Sequence, residues 1–296
     1  MEQPLPPNGC CNLGSIDVSK FVVDNQDIDW ELLRYATRLS VIFLDRVIDV
    51  SGFPDQEIET WAKENRPVGL GIMGLADLFL KLEIPYGSDE SLAFVKEIMA
   101  VIKDEAEKTS VELGQTLGIP EACKNLPVPR RNITVISIAP TGTISLLADC
   151  SNGIEPVFSE LTLRTDKTGT YNMLHPLHNA NFFRCAVTSN GSTEVTWQEH
   201  VKMQDTVQEF VDSGVSKTIN FPNHTHKKTI YDAFMLAWKL GHVKGMTVYR
   251  NGSREVEVLS PKNIKKDMCP VCDGNLIKEG GCTHCASCDF SLCEVS

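Results

Sequence analysis

The chain has 296 residues, of which 42% are hydrophobic, and its formal net charge is -11 at pH 7. This length and composition allow a sizeable core in one domain, or in one domain with an appendage, and the acidity argues against a surface that collects nucleic-acid phosphates. No apolar stretch approaches the ~20 residues that cross a bilayer, and residues 1–25 lack the order of a signal peptide; we therefore expect a cytoplasmic protein with no membrane or nucleic-acid partner.

The chain begins with a loop-like stretch, MEQPLPPNGCCNLGS, that has neither helical nor strand periodicity. It combines an acid, Glu2, with prolines, a glycine and the adjacent thiols of Cys10 and Cys11. Because loops on a rigid scaffold often carry chemistry, this stretch is a candidate functional segment. An N-terminal arm without a role is the alternative, and the pattern leaves both open.

Three long helices are predicted from apolar residues at helical spacing and from capping residues. The first covers residues 29–49, with Asp29 as its N-cap, and the second runs from about Ser88 to Gly114. The third begins with a capping box at Thr196 and continues to Gly214.

A glycine-rich segment at residues 69–74 satisfies the pattern G-x-G-x-x-G. Pro67 and no clear strand precede it, and the acidic residue expected after a second strand is missing, so a dinucleotide site is not indicated. We interpret the glycines as a close backbone crossing, or as the start of the apolar run at residues 75–80.

Strands are predicted where short stretches are apolar and β-branched, at residues 133–139, 215–221 and 246–249. An amphipathic helix over about residues 227–240 separates the last two, and a strand–helix–strand unit favours parallel pairing. The fold class is therefore α/β. The chain then becomes polar, which is typical of a linker, placed here at residues 257–267.

A candidate phosphate-binding loop follows the strand predicted at residues 133–139. It consists of Pro140, Thr141, Gly142, Thr143, Ile144 and Ser145. Small residues, hydroxyls and a helix N-terminus at the end of a strand offer converging N–H and O–H donors to a phosphate. An ordinary strand-to-helix turn, capped by a threonine, fits the same residues equally well.

Six of the eleven cysteines lie in the last 28 residues: Cys269, Cys272, Cys282, Cys285, Cys288 and Cys293. The first four read C-x2-C, nine residues, C-x2-C, a spacing that lets four thiolates meet one tetrahedral Zn²⁺ ion. Cys288 and Cys293 then remain free for redox exchange. In the alternative, Cys285 and Cys288 form the second metal pair, which leaves Cys282 and Cys293; both sets are sterically feasible.

Taken together, these motifs resemble the catalytic subunit of ribonucleotide reductase, in particular the C-terminal part of the adenosylcobalamin-dependent (class II) type. The resemblance covers nearly the whole chain, in the blocks Glu2-Gln-Pro-Leu-Pro-Pro, Cys11-Asn-Leu-Gly-Ser15, Arg66-Pro-Val-Gly-Leu-Gly, Ala139-Pro-Thr-Gly-Thr-Ile-Ser145, Gly153-Ile-Glu-Pro156, Ser216-Lys-Thr-Ile-Asn220 and Thr247-Val-Tyr-Arg-Asn-Gly-Ser-Arg254. The cysteine-rich end resembles the zinc-ribbon tail of many class II enzymes.

The resemblance implies a domain organisation. Residues 1–256 would form the C-terminal part of a ten-stranded α/β barrel, residues 257–267 a linker, and residues 268–296 a zinc-ribbon and redox-shuttle tail. The family's radical cysteine would lie just before Met1, so the resemblance implies an N-terminal partner segment that carries it.

The resemblance also implies roles for individual residues. Glu2 would be the base at the ribose 3' hydroxyl, and Cys11 would be one of two thiols that reduce the substrate radical. The loop from Pro140 to Ser145 would hold the substrate's phosphates. Cys288 and Cys293 match the family's closing C-x4-C pair, which favours zinc on the other four cysteines.

Cofactors and partners follow from the same resemblance. Adenosylcobalamin would generate the radical, a ribonucleotide would be the substrate, and a thioredoxin-like dithiol protein would re-reduce the tail. A second copy of the chain, giving a homodimer, is a further partner. Two other interpretations stay open: a zinc-ribbon binding module on an inactive reductase-like scaffold, and an inactive remnant.

Overall fold

The computed structural model describes residues 2–24, 26–166, 169–188, 193–253, 259–262, 268–269, 271–272, 274–279 and 282–293. The ends of the predicted linker and parts of the predicted tail lie outside these residues. Among the helices described, none combines the length and the apolar character needed to cross a membrane.

Seven α-helices occur in the described chain. They are α1 (Trp30–Val50), α2 (Gln56–Asn65), α3 (Leu75–Lys81), α4 (Asp89–Leu117), α5 (Ile144–Ala148), α6 (Trp197–Gln208) and α7 (Lys227–Leu240). The three long predicted helices are confirmed as α1, α4 and α6, and their N-caps are Asp29, Ser88 and Thr196, each accepting a backbone N–H with its side chain. Helix α6 ends at Gln208, six residues before the predicted Gly214, because turns follow.

Twelve strands are described. They are β1 (Leu13–Asp17), β2 (Val22–Val23), β3 (Asp27–Ile28), β4 (Gly69–Met73), β5 (Leu161–Asp166), β6 (Gly169–Leu174), β7 (Thr218–Phe221), β8 (Thr247–Arg250), β9 (Leu259–Pro261), β10 (Leu276–Glu279), β11 (Cys282–Cys285) and β12 (Ser291–Cys293). Strands β2 and β3 form a short antiparallel pair, β6-β5-β9 and β10-β11-β12 form antiparallel sheets, and β7 pairs with β8 in parallel around the predicted helix α7.

Five parallel segments follow one another through the core. β1 pairs with β4, Leu70 bridges to Ile136, Ile138 bridges to Val215, and β7 pairs with β8. The predicted strand at residues 133–139 is present only as isolated bridges within the described chain. One reason is that the side chain of Asp212 accepts hydrogen bonds from the N–H groups of Val135 and Ile136. The mixed α/β class is confirmed, but the described segments do not close into a ten-stranded barrel.

The glycine-rich segment forms the fully buried strand β4. A Cβ atom placed on Gly71 would collide with the carbonyl oxygen of Ser137 on the neighbouring segment. The interpretation as a close backbone crossing is thus confirmed, because only glycine lets the two backbone segments approach this closely.

One buried charge network joins α1 to the core. The carboxylate of Asp45, which is 0% exposed, accepts hydrogen bonds from Arg66 Nε at 2.8 Å, Arg131 Nε at 2.9 Å and Asn132 Nδ2 at 2.9 Å. Burial acts to raise the pKa of Asp45, but the hydrogen bonds from these three side chains outweigh it and hold the pKa below its ordinary value. The network therefore ties three segments that are distant in sequence.

Helix α1 also leaves an apolar stripe exposed. Leu32, Tyr35, Leu39, Phe43 and Val50 lie on it, and Phe43 and Val50 are 67% and 83% exposed. Within the described chain, β1 pairs with β4 alone and β8 with β7 alone, so each has a second edge without a described strand. An exposed apolar stripe beside unpaired strand edges is typical of a surface that another polypeptide covers.

The tail is attached beside the β5–β6 hairpin. Strand β9, which lies inside the predicted linker, pairs with β5, so that interval is partly strand. The side chain of Asn172 on β6 donates to the carbonyl oxygen of Val271 at 3.0 Å. The first loop of the tail is therefore held against the hairpin.

Candidate functional site

The N-terminal loop is anchored beside the segment that leads into the candidate phosphate loop. The carbonyl oxygen of Glu2 accepts from Ser137 Oγ at 2.7 Å and from the N–H of Gly214 at 2.8 Å. Gln3 Oε1 accepts from Ser213 Oγ at 3.3 Å. Ser137 stands three residues before Pro140, so the structure brings Glu2 close to the start of the loop.

The two thiols of the N-terminal loop differ in environment. Cys11 is exposed, whereas Cys10 is half-buried against the core. Burial and the neighbouring thiol of Cys11 raise the pKa of Cys10. Cys11 precedes Asn12, whose carbonyl oxygen accepts from the N–H of Gly69 and whose side chain donates to Leu44. The exposed thiol therefore sits next to a well-anchored residue.

The candidate phosphate loop is divided between buried and exposed residues. Thr141 has a positive φ of 55°, and its Oγ1 accepts from the N–H of Gly153 at 2.8 Å. Ser145 Oγ donates to Asn152 Oδ1 at 2.8 Å. These two hydroxyls connect the loop to the following turn, so they already have hydrogen-bond partners within the protein.

The remaining loop residues are Pro140, Gly142, Thr143 and Ile144, and they are exposed. Thr143 is the N-cap of α5 but makes no side-chain cap hydrogen bond, so the threonine cap of the alternative interpretation does not form. The first N–H groups of a helix lack intrahelical partners, and beside Gly142 no heavy atom lies within 4 Å of where a Cβ would stand. Together with Pro140, the residues Gly142, Thr143 and Ile144 are thus the solvent-exposed part of the loop.

A buried ion pair, for which the sequence predicted no role, lies close in sequence to Gly153, whose N–H donates to Thr141 of the loop. Lys217 Nζ, with a side chain that is 0% exposed, donates to Glu155 Oε2 at 2.7 Å, and the N–H of Thr218 donates to Glu155 Oε1 at 2.6 Å. Tyr86 Oη donates to the carbonyl oxygen of Ile154 at 2.5 Å. Burial lowers the pKa of Lys217, and Glu155 acts in the opposite direction. Both charged residues lie in sequence blocks that carry the family resemblance, and this was the signal in the sequence that could have pointed to them.

A second polar cluster lies near the turn behind the loop. Asp77 Oδ1 is 3.1 Å from His175 Nε2, and Asp77 Oδ2 accepts from the N–H of Ser151 at 2.5 Å. The adjacent thiol of Cys150 has its pKa raised to about 12 by burial and by the carboxylates of Asp17 and Asp77. A thiol with such a pKa stays protonated and is a poor nucleophile at neutral pH.

Four cysteines of the tail form one cluster: Cys269, Cys272, Cys285 and Cys288, with their sulfur atoms all within 4.8 Å of one another. Cys269 Sγ is 3.6 Å from Cys288 Sγ, and Cys272 Sγ is 3.4 Å from Cys285 Sγ. Four thiolates around Zn²⁺ at ~2.3 Å stand about 3.8 Å apart in a tetrahedron. The cluster could therefore hold a tetrahedral metal ion.

Backbone groups support this cluster in two turns. The N–H of Val271 donates to Cys269 Sγ at 3.4 Å, and the N–H of Ser287 donates to Cys285 Sγ at 3.2 Å. The hydrogen bond from Ser287 is the main cause that lowers the pKa of Cys285 to about 7, against a smaller effect of burial. Although a backbone hydrogen bond involving Phe290 acts to lower it, burial and the hydrogen bonds shared with the other three thiols raise the pKa of Cys288 to about 12. The shifts within the cluster therefore run in both directions.

The cluster differs from the predicted metal set in one member, because it contains Cys288 in place of Cys282. Cys282 and Cys285 both lie in β11, and side chains three residues apart in a strand point to opposite faces. Residues 285–288 form a turn instead, where both thiols can reach one ion. The arrangement matches the alternative metal set, in which Cys285 and Cys288 form the second pair. The exchange role of Cys288 stays a prediction, and a thiolate bound to metal would be a poor exchanger.

The structure places Cys282 in a separate bond. Cys282 is disulfide-bonded, and the residue opposite it in the β11–β12 register is Cys293. The side chain of Cys293 lies outside the described residues.

Comparisons with known proteins cover most of the chain. A family model described as "Ribonucleotide reductase, barrel domain" matches residues 1–128, 127–182 and 174–249. The chain is 38% identical, over 88% of its length, to a protein of Thermoplasma acidophilum named "Vitamin B12-dependent ribonucleoside-diphosphate reductase". It is 35% identical, over 98% of its length, to a protein of the same name from Mycobacterium tuberculosis. The chain spans 38% and 45% of these two relatives, less than half of each.

A more distant relative comes from Helicobacter pylori. This protein is named "Ribonucleoside-diphosphate reductase subunit alpha", and the chain is 25% identical to it over 78% of its own length and 33% of the relative.

Proposed function

Because the chain belongs to the ribonucleotide reductase family, we propose that it is the C-terminal part of a vitamin B12-dependent enzyme that reduces ribonucleotides to deoxyribonucleotides. The names of the two most similar relatives described above favour a ribonucleoside diphosphate as the substrate. One observation carries the assignment of the site: the carbonyl oxygen of Glu2 bonds to Ser137, on the segment that leads into the loop at Pro140. The backbone of the candidate base is therefore anchored to the segment that leads into the candidate phosphate loop.

The chain's own residues divide the work. Glu2 acts as the base at the ribose 3' hydroxyl, and Cys11 supplies one of the two thiols that reduce the substrate. The exposed backbone donors of residues 142–144 bind the phosphates, while Thr141 and Ser145 hold the loop in shape. Adenosylcobalamin, when bound, supplies the radical that starts the reaction; no residue of this chain is assigned to hold it.

The proposed organisation is a barrel part at residues 1–256, a linker at residues 257–267 that contains β9, and a tail at residues 268–296. Cys269, Cys272, Cys285 and Cys288 hold a structural Zn²⁺ ion there. Because the chain spans less than half of its B12-dependent relatives, a segment equivalent to the rest of them is the proposed partner. It would carry the radical cysteine and cover the stripe on α1 and the edges of β1 and β8. A homodimer and a cytoplasmic location complete the proposal.

The experiment that tests the function uses the full chain. It is mixed with the N-terminal part of a B12-dependent relative, adenosylcobalamin and dithiothreitol, and the conversion of a ribonucleoside diphosphate is measured. We expect conversion with the wild-type chain and at least a 100-fold loss with Cys11→Ser, while Cys123→Ser, at a buried thiol away from the loop, keeps activity. A stable complex without conversion would favour the inactive remnant.

Zinc binding is predicted to depend on the observed cluster. The purified chain should contain about one zinc ion per chain, and Cys288→Ser should lose most of it because a three-thiolate site holds the ion less tightly. Metal analysis by mass spectrometry checks this, with Cys150→Ser as the matched control that keeps its zinc. If Cys288→Ser kept full zinc while Cys282→Ser lost it, the metal ligands would instead be those first predicted, with Cys282 in place of Cys288.

The electrons are predicted to pass through Cys282 and Cys293, because the cluster takes the other four thiols of the tail. Cys282→Ser should lower thioredoxin-driven turnover of the assembled enzyme at least 100-fold but spare turnover driven by dithiothreitol, which reaches the barrel directly. Turnover is followed with each reductant in parallel. Equal activity with both reductants would contradict the role of Cys282 and favour a tail that only binds.

A further inference from the structure

The metal turn and the disulfide of the tail share one hairpin. β11 carries Cys282 at its first residue and Cys285 at its last, and β12 ends at Cys293. The connection between the two strands contains Cys288, and the N–H of Cys285 donates to the carbonyl oxygen of Phe290 at 2.8 Å. Two of the four clustered thiols therefore stand on the turn that joins the strands of the disulfide-bearing hairpin.

The strand geometry keeps the two kinds of sulfur chemistry apart. Side chains alternate between the faces of a strand, so Cys282 and Cys285 point in opposite directions although they are three residues apart. The metal cluster is on one face and the disulfide of Cys282 is on the other. One hairpin thus carries the two kinds of sulfur site on different faces.

We propose that Cys285 and Cys288 are positioning residues for the redox pair: with metal bound, they fix the turn so that Cys282 faces Cys293 and the disulfide closes more readily. The inference rests on the proposed shuttle role of Cys282. Opposite residues in an antiparallel pair have Cα atoms about 4.5–5.5 Å apart, within the range that a disulfide spans. A turn that is already fixed removes part of the entropy cost of bringing the two thiols together.

The chemical step balances. During turnover Cys11 becomes part of a disulfide in the active site. The two thiols of the tail give two electrons and two protons to this disulfide, so the active site returns to two thiols and the tail is oxidised to a disulfide. Metal binding that favours the closed hairpin drives this exchange toward a reduced active site. By linkage, closing the disulfide must raise the metal affinity by the same factor.

The test measures the redox equilibrium and the metal affinity of the full chain separately. The chain is equilibrated in glutathione buffers of increasing oxidised fraction, and the fraction of Cys282 in the intramolecular disulfide is read by alkylation and mass spectrometry. We expect zinc to shift this equilibrium about 10-fold toward the disulfide, in the range of couplings that proteins show. The zinc affinity, measured with a competing chelator, should rise by the same factor in the oxidised chain.

Two variants keep the test decisive if the metal-free tail unfolds. Inserting two glycines after Asp289, an exposed position in the connection, retains all four thiolates but loosens the hairpin, so one zinc per chain should remain while the 10-fold shift disappears. Cys123→Ser should change neither quantity. A redox equilibrium that zinc leaves unchanged would overturn the coupling, whereas loss of the shuttle itself shows only in the thioredoxin-driven turnover of Cys282→Ser.

Discussion

Asp45→Ala is expected to lower the free energy of unfolding by about 3–5 kcal/mol, the cost of removing one partner from a buried ionic network. The carboxylate is fully buried and accepts from Arg66, Arg131 and Asn132, so its loss leaves two guanidinium groups with a buried partner missing. Urea denaturation followed by circular dichroism measures the change. The loss should appear as a lower midpoint at unchanged slope.

The matched control for this prediction is Asp104→Ala. Asp104 pairs with Arg34 at 2.9 Å, but the side chains are 68% and 36% exposed, and such surface pairs contribute roughly 0–1 kcal/mol. If both variants lost the same stability, the buried network would not be the source of the effect.

The same network predicts an acid-dependent loss of stability. The pKa of Asp45 in the folded chain lies below the ordinary value of 3.8, so its contribution is complete above that value and is lost as the pH falls through the lower, folded pKa. Wild type should therefore lose stability on acidification below about pH 4 more steeply than Asp45→Asn, which cannot ionise there. Denaturation midpoints measured from pH 7 to pH 3 compare the two slopes, and parallel curves would contradict the assignment.

Local signals predicted much of the fold. The helices α1, α4 and α6 could be read from apolar spacing and from cap residues, because both act within a few residues of each other. The strand predicted at residues 133–139 is only partly present, since Asp212, 76 and 77 residues further along the chain, accepts hydrogen bonds from two of its N–H groups. Contacts of this kind leave no local pattern.

The same limit applies to the sites. The partners of Asp45 lie 21, 86 and 87 residues away in sequence, so no spacing rule reveals the network. In the tail, C-x2-C was assumed to mean a turn at both pairs, but Cys282 and Cys285 lie within one strand. Counting residues without knowing where the strand ends gave a set that differs from the observed cluster by one cysteine.

Glu155→Ala is expected to disturb both stability and substrate binding, because it leaves the ammonium of Lys217 buried without its partner. Lys217 is 0% exposed and Glu155 25% exposed on their side chains. Loss of such a pair costs about 3 kcal/mol or more. Burial already lowers the pKa of Lys217 and Glu155 opposes this, so the lysine should lose its proton more easily in the variant.

The functional consequence follows from the position of Glu155. It stands two residues after Gly153, whose N–H donates to Thr141 in the candidate phosphate loop. Loosening this support should raise the KM for the nucleotide about 10-fold in the assembled enzyme while kcat changes less, because the role proposed for the loop is to bind phosphate and not to take part in the radical step. Steady-state kinetics at varied nucleotide concentration separate the two constants.

The double variant Glu155→Ala/Lys217→Met distinguishes two causes of the stability loss in Glu155→Ala, namely an unpaired buried charge and a loss of packing. Replacing the stranded ammonium by an apolar side chain of similar length removes the unpaired charge, so the double variant should recover part of the lost stability, as replaced buried ion pairs do. Urea midpoints of the wild type, both single variants and the double variant complete the cycle. Stability losses that simply add would mean that the two side chains act independently, and the ion pair would then not be what supports the loop.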